Sequence, residues 1–252
     1  RYYSPVTGRF GQQDPAMADG MNWYVYCNGN PLNFVDPLGL ARKLRDLVGE
    51  TTGSVSWVGS NDWRPWVSKN TATVTIDGVT QEYNVVGDKV YVNGRQVGYM
   101  ENDYIMVEEE DFKNDFNIVG TITIYAYYDP NDPNGRSYDG DITTGHSWIG
   151  YRPLGREETT YGTWPESPTT RKGLNINLPW ERDNRDSEYT SKITQNQKNK
   201  MDGAIYNPDN DDWSIANNCT VFATKVMSAA TGTIWAALTP YALKRGIDRN
   251  FK

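Results

Sequence analysis

The chain has 252 residues, a net charge of −7 and a pI of about 4.8. That balance excludes the basic field by which a protein grips nucleic acid, and no stretch approaches the ~20 consecutive apolar residues of a membrane-spanning helix. Charged residues at 23% and hydrophobic ones at 37% are ordinary for a globular protein with length for one large domain or two smaller ones.

Residue 1 is Arg, no signal-peptide pattern opens the chain, and the expectation is a piece of a longer polypeptide. Residues 1–40 are short aromatic and β-branched runs broken by Gly, Pro and Asn turns: Arg1-Tyr2-Tyr3-Ser4-Pro5-Val6-Thr7-Gly8-Arg9-Phe10, then Gln13-Asp14-Pro15, then Asn22-Trp23-Tyr24-Val25-Tyr26-Cys27-Asn28-Gly29-Asn30-Pro31, ending Val35-Asp36-Pro37-Leu38-Gly39-Leu40. Such a segment is too small to fold alone and is expected to pair its strands with preceding sequence. It closely resembles the end of the RHS repeat-associated core, the YD-repeat shell of polymorphic toxins. The resemblance implies a β-cocoon around a C-terminal toxin and an aspartyl autoprotease. It places cleavage between Leu40 and Ala41, with Asp14 and Asp36 as the two carboxylates. Such a pair shares one proton, so that one group activates water while the other protonates the carbonyl. Without that context, the Asp-Pro pairs read as turn starters.

Residues 41–51 predict a short connector helix with Leu44, Leu47 and Val48 on one face. Residues 54–99 alternate in the manner of strands, with Asp77-Gly78 and Asn93-Gly94 as hairpin turns, and predict a small β-unit of about four strands. A packing or spacer role is favoured over a binding one. The acidic run Glu108-Glu109-Glu110-Asp111 reads as a solvated face.

From residue 118 the pattern changes. Gly120 to Tyr127 alternates as a strand. The loop from Asp129 to Asp141 imitates a calcium loop but fails its register, because Gly135 stands seventh from Asp129 instead of sixth. His146 lies in a strand that places Ser147, Ile149 and Tyr151 on one face and His146, Trp148 and Gly150 on the other. A strand over Glu158–Trp164 follows. Residues 166–190 predict a surface loop over a cleft, and residues 191–205 a helix anchored by Ile193, Met201 and Ile205. Thr239-Pro240 opens a last helix.

The chemistry-bearing residues are few. The chain has one histidine, His146, and two cysteines, Cys27 and Cys219, in unlike contexts and not expected to pair. There is no Cys/His cluster for zinc, and no cofactor is expected. Asn218 is a good N-cap, so Cys219 occupies the first turn of a helix, where unpaired N–H groups and the helix dipole favour the thiolate. Taken singly, a lone Cys on an amphipathic helix is more often core than nucleophile; the pair and its setting carry the argument.

Gly145-His146-Ser147-Trp148, the strand ending Tyr161-Gly162-Thr163-Trp164-Pro165, and Asn218-Cys219-Thr220 together resemble the circularly permuted branch of the NlpC-type papain-like superfamily, over roughly residues 118–245. The resemblance implies a thiolate nucleophile at Cys219, a base at His146, and a third polar group on the strand after the His strand. Glu158, Thr160, Tyr161 and Thr163 are open candidates for that third role.

The expected fold is α+β: an RHS-core segment (1–40), a connector helix with a small β-rich subdomain (41–117), and a papain-like domain with an antiparallel sheet packed on helices (118–252). The expected protein is a secreted toxin effector, delivered into a target cell and acting as a cysteine peptidase, deamidase, amidase or acyltransferase. Its expected partners are the upstream RHS shell, a cognate immunity protein, and a protein or peptidoglycan amide substrate. The alternative is a target-binding module whose only catalysis lies in the autoprotease segment.

Overall fold

The protein is seen in a computed structural model that describes residues 3–4, 6–7, 9–12, 41–59, 70–128, 145–164, 172–178, 186–211, 214 and 218–250. It is α+β, with two larger antiparallel sheets, and divides into two compact units, Arg1–Asn117 and Ile118–Lys252. Among the described residues no helix is long and apolar enough to cross a membrane. Asp14, Cys27, Asp36, Leu40 and the loop from Asp129 to Asp141 lie outside the described residues.

The first unit opens with a small hairpin of β1 (Tyr3–Ser4) and β2 (Arg9–Phe10). Its main sheet contains β3 (Ala41–Lys43), β4 (Ser54–Val58), β5 (Thr71–Ile76), β6 (Val79–Val86), β7 (Lys89–Val92), β8 (Arg95–Glu101) and β9 (Tyr104–Glu108), in the order β3-β9-β8-β7-β6-β5-β4. The turns are those the Asn and Asp residues favour. Asp77 and Gly78 have φ of 49° and 80°, and Asn93 and Gly94 have φ of 50° and 80°, so both pairs adopt the left-handed geometry of tight hairpins. Helix α1 (Leu44–Gly49) buries Leu44, Leu47 and Val48, the predicted face.

Two expectations for this unit are corrected. Among the described residues, five strands (β4 to β8) form over the span where about four were expected, and the three-residue β3 and the strand β9, outside that span, extend the sheet without a strong local pattern. The acidic run is a solvated face only in part, with Glu110 exposed. Glu108 is buried at the end of β9, while Glu109 to Asp111 begin α2 (Glu109–Asp115), where acidic side chains complement the positive helix end. Arg42 pairs with Glu50 at 2.5 Å and with Glu109 at 3.4 Å, and Arg95 pairs with Asp111 and Asp115.

Among the described residues the second unit is a five-stranded sheet with helices on one face. Its strands are β10 (Ile118–Tyr127), β11 (His146–Pro153), β12 (Thr159–Trp164), β13 (Gly173–Ile176) and β14 (Ser187–Thr194), in the order β13-β12-β11-β10-β14. The helices are α3 (Gln195–Ile205), α4 (Cys219–Thr231) and α5 (Pro240–Asn250), with a 3-10 turn at Pro208–Asp211. Ile122, Ile124, Ile149 and Tyr161 meet Met201, Phe222, Val226 and Ile247 in one apolar core. This is the main source of the unit's stability, at roughly 1.5–3 kcal/mol for each large apolar side chain fully buried.

Here too the sequence reading is corrected. Within the span read as a loop, residues 173–176 are strand β13 and β14 begins at Ser187. Ile193 is in β14, and the helix starts only at Gln195. Serines at 187 and 191 sit at buried positions of β14 and disguise its alternation. The helix start is set by a capping box: Thr194 Oγ1 accepts the Gln197 N–H at 3.1 Å, and the Gln197 side chain accepts the Thr194 N–H at 3.0 Å.

Candidate active site

The position of Cys219 follows from the cap. Asn218 has extended backbone, and its Oδ1 accepts from the Thr220 and Val221 N–H groups, each at 3.0 Å. Its Nδ2 donates to the Leu238 carbonyl at 3.1 Å, which ties the helix start to the segment before α5. Asn218 is therefore a positioning residue for α4. Cys219 stands first in that helix, and the cap engages the two amides after it and leaves the Cys219 amide outside.

The histidine arrives from the sheet. Gly145 precedes it at φ 121°, a conformation side chains rarely adopt, and a Cβ there would run into the Tyr127 carbonyl oxygen. His146 begins β11, opposite Tyr127 of β10, and is 2% exposed. The end of this strand meets the N-terminus of α4: the His146 imidazole hydrogen-bonds the Cys219 sulfur. The residue at 219 keeps partial exposure although its sulfur is closely surrounded by protein atoms.

Electrostatics act on the thiol in both directions. Burial pushes its pKa up. Against this stand the charge of His146, the hydrogen bond from its ring, the Ser147 backbone and the Thr220 hydroxyl, and together they hold the thiol below its ordinary value of 9.0. Thr220 Oγ1 lies 4.0 Å from the sulfur and 3.1 Å from the Ser147 hydroxyl, in a buried contact that joins β11 to α4. Ser147 and Thr220 were not singled out by the sequence reading as site groups. Their only signal was adjacency to His146 and Cys219.

Two indoles contact the imidazole. Trp164 of β12 lies 3.8 Å from it between ring centroids, tilted by 32°, and Trp148 lies at 5.5 Å and 13°. Tyr125 stacks on Trp148 at 5.2 Å and donates its hydroxyl to Glu158 at 2.6 Å. Glu158 reaches this position because Gly150 has no side chain to obstruct its carboxylate.

The four candidates for a third polar group are thus separated by the fold. Tyr161 is directed into the helix-side core against Tyr206, edge-on at 6.4 Å, and burial raises its pKa, with Tyr206 and Asp202 adding to the effect. The structure does not bring Tyr161 to the imidazole. Glu158 lies at the far end of the aromatic ladder. The hydroxyls of Thr160 and Thr163 are buried without hydrogen-bond partners among the described residues. Among the described residues no group of three or more His, Cys, Asp or Glu side chains could hold a metal. Ala41, at the expected autocleavage junction, is the first residue of β3, paired with Glu108.

The first unit has a concavity of its own, of about 430 Å³, lined in part by Lys43, Val55, Trp57, Met100 and Tyr104. Trp57 and Tyr104 are 49% and 46% exposed there, and Lys43 Nζ lies 4.1 Å from the Tyr104 ring centroid, so aromatic surface and a cation face solvent together.

No family model matches the chain, and no solved structure matches it.

Proposed function

We propose that residues 41–252 are the effector of an RHS-type polymorphic toxin and that residues 118–252 form its cysteine-dependent amide hydrolase or acyltransferase. The observation that carries this reading is the hydrogen bond between the only imidazole of the chain and a thiol of lowered pKa at a helix N-terminus. In the proposed reaction the Cys219 thiolate attacks the carbonyl carbon of an amide. The tetrahedral oxyanion forms beside the Cys219 N–H, which the cap leaves outside. His146, as imidazolium, protonates the departing amine, the C–N bond breaks and a thioester remains. Water or another acceptor then gives its proton to His146, attacks the thioester and releases the acyl product with the thiolate restored. A papain-like arrangement is part of this proposal, supported by the meeting of a strand-borne His with a helix-borne Cys. Expression of residues 41–252 in a susceptible cell tests the reading: the wild type is toxic and Cys219→Ala is not. Equal toxicity of the two removes the enzyme.

Release from the shell is proposed to follow aspartyl autoproteolysis between Leu40 and Ala41, with Asp14 and Asp36 as the pair. The partners are then the RHS shell, an immunity protein and an amide-bearing protein or peptidoglycan, and the setting is secretion with delivery into a target cell.

A second reading is favoured by the concavity of the first unit. Solvent-facing Trp57 and Tyr104 beside Lys43 are suited to holding a target surface. If binding alone were the activity, Trp57→Ala would abolish toxicity and Cys219→Ala would not.

A further inference from the structure

The residue nearest to being part of the site, yet outside the proposed chemistry, is an aromatic one. Trp164 ends β12, which pairs antiparallel with the His146 strand and carries Tyr161 opposite Ile149. Its indole lies closer to the imidazole than that of Trp148, at 3.8 Å against 5.5 Å between ring centroids. At that separation and a tilt of 32° the two ring faces are in contact. Both rings are almost withdrawn from water, with His146 2% and Trp164 7% exposed.

We propose that Trp164 is a positioning residue for His146: its ring face fixes the imidazole orientation from which the ring reaches the Cys219 sulfur. The inference rests on the catalytic reading of the Cys219–His146 pair, but its geometric content stands apart from that reading. First, an imidazole at the first residue of a strand has a free χ2 rotation unless something packs on its face, and the broad two-fold torsion of His gives little restraint of its own. A large flat ring at contact distance removes that freedom. Second, an indole face carries partial negative charge and attracts a cation above it, so it favours the protonated imidazole that accompanies a thiolate. Cys219 faces the imidazole from α4, and Tyr125 and Glu158 lie beyond Trp148 on the same face of the sheet.

Because the chain has a single histidine, one set of imidazole ring-proton signals reports on this contact. In the full chain, those signals are expected upfield of a free histidine through the ring currents of Trp164 and, from further away, Trp148. They return toward the free position in Trp164→Leu and stay largely shifted in Trp164→Phe, which keeps a ring face. In parallel, iodoacetamide alkylation of Cys219 near neutral pH, mapped by peptide to separate it from Cys27, slows in Trp164→Leu by on the order of tenfold, the change in thiolate fraction for about one pH unit in its midpoint. It slows by much less in Trp164→Phe.

Unshifted histidine signals in the wild type overturn the proposal, and so does a folded Trp164→Leu protein with wild-type alkylation. If the Leu variant does not fold, the wild-type shift and the Phe variant's histidine signals and alkylation rate decide the question. A toxic Cys219→Ala protein removes the enzyme but leaves the ring contact to be judged by the histidine signals alone.

Discussion

At Cys219 two opposed effects meet, and the outcome decides whether the sulfur is inert or reactive. Burial alone makes a thiol a weak acid, and the partners supplied by His146, Ser147 and Thr220 outweigh that penalty. The reactive form therefore persists as the pH falls below 9.0, the ordinary thiol value. Iodoacetamide is expected to label Cys219 near neutral pH, and His146→Ala moves the midpoint of labelling upward, since the largest lowering influence is then gone. An unchanged midpoint would show that the imidazole has no hold on the sulfur. Thr163 poses the converse case. Its hydroxyl is 2% exposed at the residue level and has no partner among the described residues, so Thr163→Val is expected to raise stability by ~1 kcal/mol in urea unfolding. A fall in stability would reveal a partner, and a fall in activity alone would give the hydroxyl a role in the reaction.

His146 and Cys219 each stand at the first position of an element, so what fixes the element's start fixes the geometry of the pair. For α4 this is Asn218. Asn218→Ala removes two cap bonds and the tie to Leu238, and is expected to cost about 1 kcal/mol and to slow Cys219 alkylation together. Asn218→Asp retains the acceptor and recovers most of the stability. If alkylation is unaffected in a destabilised Ala variant, the cap stabilises the helix without orienting the sulfur. For β11 the corresponding residue is Gly145. Any side chain there meets the Tyr127 carbonyl in an unfavourable left-handed conformation, so Gly145→Val is expected to displace His146 and shift its NMR signals. Wild-type histidine signals in that variant would show that the strand start tolerates the change.

For the molecule as a whole, the proposed activities belong to separate stretches of chain. Asp36→Asn is expected to abolish processing at Leu40 while Cys219→Ala leaves it intact, as read by the mass of the released fragment. Processing that depends on Cys219 would mean that one site performs both reactions.

The sequence by itself determined the local elements whose signals are local: the Asp77-Gly78 and Asn93-Gly94 hairpins, the apolar face of α1, the Asn218 cap and the strand that carries His146. It also limited the thiol's possible imidazole to one residue, because only one histidine is present. Only the tertiary structure decided the rest. β14 lies beside β10 through pairs such as Ile124 with Tyr189, a choice made by hydrogen bonding between strands distant in sequence and hidden behind serines at 187 and 191. Tyr161 and Trp164 stand three residues apart in β12 and so on its opposite faces. Alternation along one strand turned the tyrosine into the helix-side core and the tryptophan onto the imidazole. No residue-type rule distinguishes those two aromatics, because which face of a strand meets the reacting groups is set by what packs against it.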